Sequence, residues 1–310
     1  MNTRSLGRTD LRLSEIALGT WGLASGAYGP VTPERVDETL KAAIDAGVTT
    51  FDVSPVWGEA EARVGAAIED AKIDAVVITR AGARLVDGEL QQSFETDALI
   101  ADCENSLERL GREQIDLWLL HNPGDVTLRR ETFQEAVAQL EEEGKIRAWG
   151  VSVGDAEEAR LAIAAGAQAI CLTYNLLRPG ALDDLTTELA TNGCGVLARS
   201  PLMYGMLGGQ WHESRVFSED DHRKRRWSSE AFLERLRHVA AMRFLVGDDH
   251  PDLATAALRF VLAQPQVSTA LVGARAPRQI RSAVEAATGS PWIGDEDAVR
   301  LAKIRSQLGI

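Results

Sequence analysis

Four residues in this chain have the types and spacing to do chemistry together: Asp52, Arg80, His121 and Trp57. Asp52 lies in the run "TTFDVS" (49–54), Arg80 ends "AVVITR" (75–80), and His121 lies near the end of "IDLWLLHN" (115–122). In "FDVSPVWGEAEARVG" (51–65) the tryptophan follows the aspartate by five positions. An aspartate and an arginine withdrawn from water need each other as partners. Histidine is the side chain whose charge changes near neutrality, so His121 is the candidate general acid or base. Asp52 is then an orienting anion held ionised by Arg80. Trp57 offers an indole N–H for hydrogen bonding but has no proton to release. The five histidines show no HxH or HExxH spacing, and Cys103, Cys171 and Cys194 form no CxxC pair, so no metal is expected.

These side chains meet only if the runs carrying them end on one face. Eight short, mostly apolar runs read as strands: 15–21, 49–54, 75–80, 115–122, 146–153, 169–175, 195–201 and 269–274. Helical runs alternate with them at 32–47, 59–71, 96–111, 130–145, 155–166, 181–193, 251–264 and 277–288. The first opens on Thr32 and Pro33 and closes on Gly47, and Phe133, Ala136, Val137 and Leu140 form an apolar helical stripe. Eight such alternations predict a single-domain α/β fold, a (β/α)8 TIM barrel over 1–310, somewhat longer than the usual ~250 residues. The excess lies in an N-terminal extension (about 1–14), a long loop insert (about 203–250) and a C-terminal tail helix (about 295–308). A doubly wound open sheet is the alternative, but no GxGxxG follows the first strand. Barrel chemistry belongs at the C-terminal strand ends. Those ends carry Asp52, Arg80, His121 with Asn122, Ser152 with Val153, Tyr174 with Asn175, Arg199 with Ser200, and Gly273 leading to Arg275 and Gln279.

The bulk numbers remove several classes. A net charge of −13 disfavours nucleic acid, and "HRKRRW" (222–227), preceded by "EDD", reads as a solvated, self-neutralised loop. No apolar run reaches the ~20 residues of a membrane span, and the N-terminus lacks the apolar core of a secretion signal. With three scattered cysteines, the expected location is the cytoplasm.

The ordered blocks "LGRTDLRLSEIALGTWGL", "FDVSPVWGEAEARVG", "SLERLGREQIDLWLLHNP", "GKIRAWGVS", "YNLL", "SPLMYGMLGG" and "VGARAPRQI" resemble the aldo-keto reductase superfamily along nearly the whole chain. The resemblance implies interconversion of a carbonyl and an alcohol on a small organic substrate with NADP(H), through a tetrad of Asp, Tyr, Lys and His. Asp52 and His121 match that tetrad by motif position. Trp57 stands in the tyrosine position and Arg80 in the lysine position, so the usual proton donor is missing. The family's cofactor contacts map to Ser152, Tyr174, Ser200, Pro201, Leu202, Gly205, Gly273, Arg275 and Gln279. Val153, Cys171, Gln210, Ser282 and Ala283 depart from the pattern, which implies weakened or lost binding.

A positioned tyrosine has a pKa near ~10 and is lowered by a neighbouring lysine; losing such an acid costs ~10²–10⁴ in rate. An arginine keeps the charge but does not relay a proton. Tyr28 and Tyr204 lie on loops able to cover the mouth and are candidate replacement donors, with plain packing as the other reading. Three functions remain open. The first is a reductase with an altered proton donor. The second is a non-redox dehydratase, isomerase or cyclase using His121. The third is an inactive binding or regulatory protein whose old pocket Trp57 plugs. Substrate and oligomeric state are not legible, although Trp21 and Trp57 suggest an aromatic wall; Trp118, lying mid-strand, reads as core.

Overall fold

A computed structural model describes residues 1–24, 26–130, 132–289 and 293–310. Ser25 in the 22–31 loop and Glu131 in the expected 130–145 helix lie outside the described residues. The chain opens with an antiparallel hairpin, β1 (Thr3–Ser5) and β2 (Arg12–Ser14). Strands β3 (Ile16–Gly19), β4 (Thr50–Asp52) and β5 (Val76–Ala81) follow. A second hairpin, β6 (Ala83–Val86) and β7 (Glu89–Gln92), comes next. Then come β8 (Ile115–His121), β9 (Ile146–Ser152), β10 (Ala169–Thr173), β11 (Gly195–Arg199) and β12 (Val267–Gly273). The sheet closes in the order β10-β11-β12-β3-β4-β5-β8-β9, all pairings parallel. This is a single-domain (β/α)8 barrel, and each of the eight strands falls on one of the expected runs.

The period of two along each strand decides what lies inside. Ala17, Ile78, Leu119, Ala148, Cys171, Leu197 and Leu271 fill the lumen. Their neighbours, among them Leu18, Phe51, Trp118, Val151, Leu172 and Ala198, face the helices. Two residues beyond the lumen layer, on the same inward parity, stand Gly19, Arg80, His121, Thr173, Arg199 and Gly273. Asp52 shares that parity on β4, two residues beyond Thr50. The apolar layer is thus the floor on which the polar mouth is built.

The first fourteen residues are more than an extension. Leu6, Leu11 and Leu13 of the first hairpin pack against the lumen layer and close the barrel bottom. Gly7 makes the turn with φ +52, and a Cβ there would lie 2.1 Å from the Gly193 carbonyl oxygen, so this docking needs glycine.

Helix Pro33–Asp45 starts as its sequence predicts, with the Thr32 side chain accepting from the Arg35 N–H. One expected helix is shortened and another broken. The 130–145 run yields Gln134–Glu142, beginning after Phe133, whose ring is buried with Ala136, Val137 and Leu140, and a separate helix, Gly124–Arg130, precedes it. The 181–193 run yields Gly180–Asp183 and Thr186–Asn192. The 203–250 insert folds into helices Arg223–Arg226 and Ser229–Ala241. It shares a separate apolar cluster (Met206, Leu207, Val239, Met242) with Leu253 and with Leu301 of the tail helix Asp295–Leu308. Among the described residues no helix is long and apolar enough to cross a membrane.

Candidate active site

Adjacent strands bring the four sequence candidates together. Asp52 and Arg80, each 3% exposed, form a buried ion pair. Arg80 also donates to the Val53 carbonyl at 2.9 Å and to the Cys171 sulfur at 3.8 Å. Its guanidinium lies 4.6 Å from the centre of the Trp57 ring, and Trp57 meets the His121 ring edge-to-face at 6.5 Å. A cation over an indole face is attracted by the ring quadrupole, which fixes Trp57 as a wall over the ion pair. Trp57 also lines a cleft of about 280 Å³ with Leu23, Val31, Val36, Leu40 and Val64.

Burial raises the pKa of the Asp52 carboxyl, and Arg80 pulls in the opposite direction. Arg80 itself is depressed by burial, but Asp52 and Cys171 outweigh that and hold it above its usual value. Burial also raises the Cys171 thiol, so its sulfur stays protonated and neutral. His121 does not titrate near neutrality as the sequence suggests. Burial first, then the charges of Arg80 and Arg199, push its pKa down to about 3. At neutral pH the imidazole is uncharged. It can accept or donate one hydrogen bond at each nitrogen, but it is not a reservoir of acid. Its Nδ1 is buried without a hydrogen-bond partner among the described residues.

Arg199 is the member that motif matching leaves out, although it is legible as a strand end. On β11 it shares the inward parity of Leu197, and it donates to the Val153 carbonyl at 2.8 Å. Its Nε is also buried without a partner.

Tyr174 is the opposite case, an expected cofactor contact that faces the wrong way. One position past β10, it shares the outward parity of Ile170 and Leu172 and belongs to the layer between sheet and helices. It is 3% exposed and stacks on Phe260 at 5.2 Å, so it offers no free face to a ligand.

The remaining expected contacts lie along the ends of β9, β11 and β12. Ser152 donates its hydroxyl proton to the Asn122 side chain at 3.1 Å, while Val153 turns into the outer apolar layer. Ser200 has φ +55, and after Pro201 and Leu202 the left-handed conformation returns at Met203, Tyr204 and Gly205. The winding is held by the Met203 N–H donating to the Ser200 carbonyl at 2.9 Å and the Gly205 N–H to the Leu202 carbonyl at 3.0 Å. Gly273 has open space where a side chain would stand. Arg275 and Gln279 flank the start of helix Pro277–Thr288, where N–H groups favour a phosphate. Gln279 accepts from the Arg275 N–H at 2.7 Å. The Arg275 guanidinium reaches across to the carbonyls of Tyr28, Gly29 and Pro30 at 2.8–3.0 Å. Ser282 is exposed and Ala283 is buried. Val153 and Cys171, both buried, present no amide side chain at the ends of β9 and β10.

Tyr28 and Tyr204 are brought together, but in a different cluster. Tyr28 packs edge-on to Trp21 at 5.4 Å and to His222 at 4.8 Å; Tyr204 meets the same two rings at 6.1 and 5.4 Å. Arg223 lies over Tyr28 and Arg226 over Tyr204. Burial raises the Tyr28 phenol, making it a poorer proton donor than free tyrosine. The basic run 222–227 is correspondingly only in part the expected solvated loop: Arg223–Arg226 is a short helix with one side turned inward. Asp221, 4% exposed, holds Arg223 through both carboxylate oxygens at 2.9 and 3.0 Å, and the His222 N–H donates to the Ala27 carbonyl at 2.9 Å. The self-neutralisation holds, and the solvation holds for Lys224, Arg225 and Arg226, which are exposed. The run clasps the insert onto the 22–31 loop.

Among the described residues, no group of three or more His, Cys, Asp or Glu side chains is arranged to hold a metal ion. Comparison with known proteins adds a family. The model of the Aldo/keto reductase family matches residues 15–293. The aldo-keto reductase YhdN of Bacillus subtilis is 30% identical over 293 residues, covering 92% of this chain and 88% of its own. The NADH-specific methylglyoxal reductase of Escherichia coli is 27% identical, covering 98% of both. The structure of a glycerol dehydrogenase from Gluconobacter oxydans superposes with a TM-score of 0.85 at 29% identity, covering 98% of this chain and 95% of that one.

Proposed function

The chain belongs to the aldo/keto reductase family, and we propose that it interconverts a carbonyl and an alcohol on a small organic substrate with NAD(P)H, at an active site lacking the usual tyrosine and lysine. The observation that carries this reading is the convergence of Asp52, Arg80, Trp57 and His121 at the mouth, in a chain whose relatives are oxidoreductases.

When bound, the dinucleotide supplies the hydride. Ser200, Pro201, Leu202, Gly205, Gly273, Arg275 and Gln279 would hold its phosphates and adenosine, and Ser152 would border the nicotinamide. Reduction leaves negative charge on the carbonyl oxygen. The Trp57 indole N–H and the neutral His121 imidazole are donors for that oxygen, and the cations Arg80 and Arg199 stabilise it electrostatically. Asp52 fixes Arg80 in place. None of these groups is an acid matched to neutral pH, so the final proton comes from water, at a cost in rate of ~10²–10⁴ relative to a positioned tyrosine.

The test is calorimetric titration of the full chain with NADH and NADPH, followed by carbonyl-dependent oxidation of whichever binds, with small aldehydes and ketones. Binding with slow, His121-dependent turnover is the expected result. Absence of binding by both nucleotides overturns the proposal. Turnover of a substrate without nicotinamide would instead support a non-redox enzyme on the same barrel.

A further inference from the structure

Two guanidinium groups point into the barrel mouth, and only one has a carboxylate. Arg80 spends its donors on Asp52, the Val53 carbonyl and Cys171. Arg199 has one hydrogen bond, from Nη2 to the Val153 carbonyl, and no salt bridge among the described residues. Its Nε and the Nδ1 of His121 are both buried and unpartnered. Buried donors are rarely left so. Lumen-facing parity sets both side chains in the same ring of strand ends. The charge of Arg199 also reaches His121, Asp52 and Cys171, as it must if the groups share one space. Arg199 and His121 are partly exposed, whereas Asp52 and Arg80 are buried. The mouth thus carries an uncompensated positive charge at its accessible level, in a chain whose net charge is −13. Long-range attraction does not bring anions to such a protein; a local, shaped site must do so.

We propose that the barrel mouth binds a small oxyanion, a carboxylate or phosphate carried by the substrate, on Arg199 with His121 beside it. That this anion belongs to a substrate rests on the reductase reading above; the site itself does not. In the tautomer with its proton on Nδ1, His121 donates to the same oxyanion. A guanidinium gives a carboxylate or phosphate two parallel hydrogen bonds, which positions as well as attracts it.

The experiment is calorimetric titration of the full chain with oxamate, inorganic phosphate and neutral acetamide. Oxamate or phosphate should bind in one-to-one ratio, roughly 10- to 100-fold more tightly than acetamide, the range of a charge-assisted hydrogen bond. Tighter oxamate identifies a carboxylate, and tighter phosphate a phosphate. Arg199→Leu should lose that factor, and Arg199→Lys should retain part of it, which shows that the loss is not misfolding. Anions no tighter than acetamide, or an Arg199→Leu affinity equal to that of the native chain, would overturn the site. The two readings fail separately. Arg199-dependent anion binding without any carbonyl reduction sinks the reductase reading alone. Reduction of anionic and neutral carbonyls at equal efficiency, both lowered alike by Arg199→Leu, sinks the anion site alone.

Discussion

Two clusters at the top of the barrel are built from the same parts and end in different states. At the mouth, His121 lies among Trp57, Arg80 and Arg199. In the clasp, His222 lies among Trp21, Tyr28, Tyr204 and the arginines 223 and 226. Both histidines are driven neutral, to about 3 and about 4, by burial and then by neighbouring guanidinium charge. The clasp spends its charges internally. Asp221 holds Arg223 bidentately, and the Arg226 Nε donates to the His222 Nδ1 at 3.1 Å. The mouth pairs Asp52 with Arg80 and leaves Arg199 without a carboxylate; buried nitrogens are unpartnered among the described residues in both clusters, Arg199 Nε and His121 Nδ1 in the mouth and His222 Nε2 in the clasp. Position, more than residue type, separates them: the mouth stands on the ends of barrel strands, and the clasp on the loops that cross above them.

The largest expected effect follows from breaking the buried pair in the mouth. Asp52→Ala should destabilise the fold by about 3–5 kcal/mol in urea unfolding, because Arg80 is left charged, buried and alone. A cost below about 1 kcal/mol would mean that water or another group already compensates Arg80.

Acid should report the neutral histidines next. The unfolded chain takes up protons below its ordinary histidine value of ~6.5, whereas folded His121 does so only near 3. Stability from this residue is therefore complete above pH ~6.5 and declines as pH falls toward 3, by on the order of 3 kcal/mol. Asp52, whose pKa is raised on folding, acts with the opposite sign. The difference between the native chain and His121→Gln isolates the histidine: the variant should lose less stability over that interval. Equal slopes would place His121 in a more solvated setting.

In the clasp, Asp221→Ala should cost about 1–3 kcal/mol. It should also raise the proteolytic sensitivity of the 203–250 insert. The outcome that contradicts a clasp is unchanged cleavage in that insert. The smallest effect is Tyr28→Phe, which should leave turnover within about twofold, since exposed or spectator changes cost little. A large fall in kcat with an unchanged KM would return Tyr28 to the list of proton donors.

The eight strands are legible because parallel strands buried on both faces read as short apolar runs. The same property hides which residues face inward. In "AICLTYN" nothing in the composition separates Tyr174, which faces the helices, from Thr173, which faces the lumen; only the closed register does. Arg199 was visible as a strand end, yet a charge at the end of an apolar run does not announce that it lacks a partner. The first hairpin is hard to read because its strands have three residues each, too few for a period to show. The clasp is hidden in the sequence because its aromatic partners, Trp21 and Tyr28, lie about 200 residues away in the chain.

The central claim is that the mouth performs hydride chemistry while lacking a matched acid at Trp57 and Arg80. The most direct measurement is kcat for NAD(P)H-linked reduction of a small aldehyde by the Trp57→Tyr, Arg80→Lys double variant, beside the native chain. The expected result is a rise of ~10²–10⁴-fold, the contribution of a positioned general acid. An unchanged kcat in a folded variant that still binds the nucleotide would contradict the account.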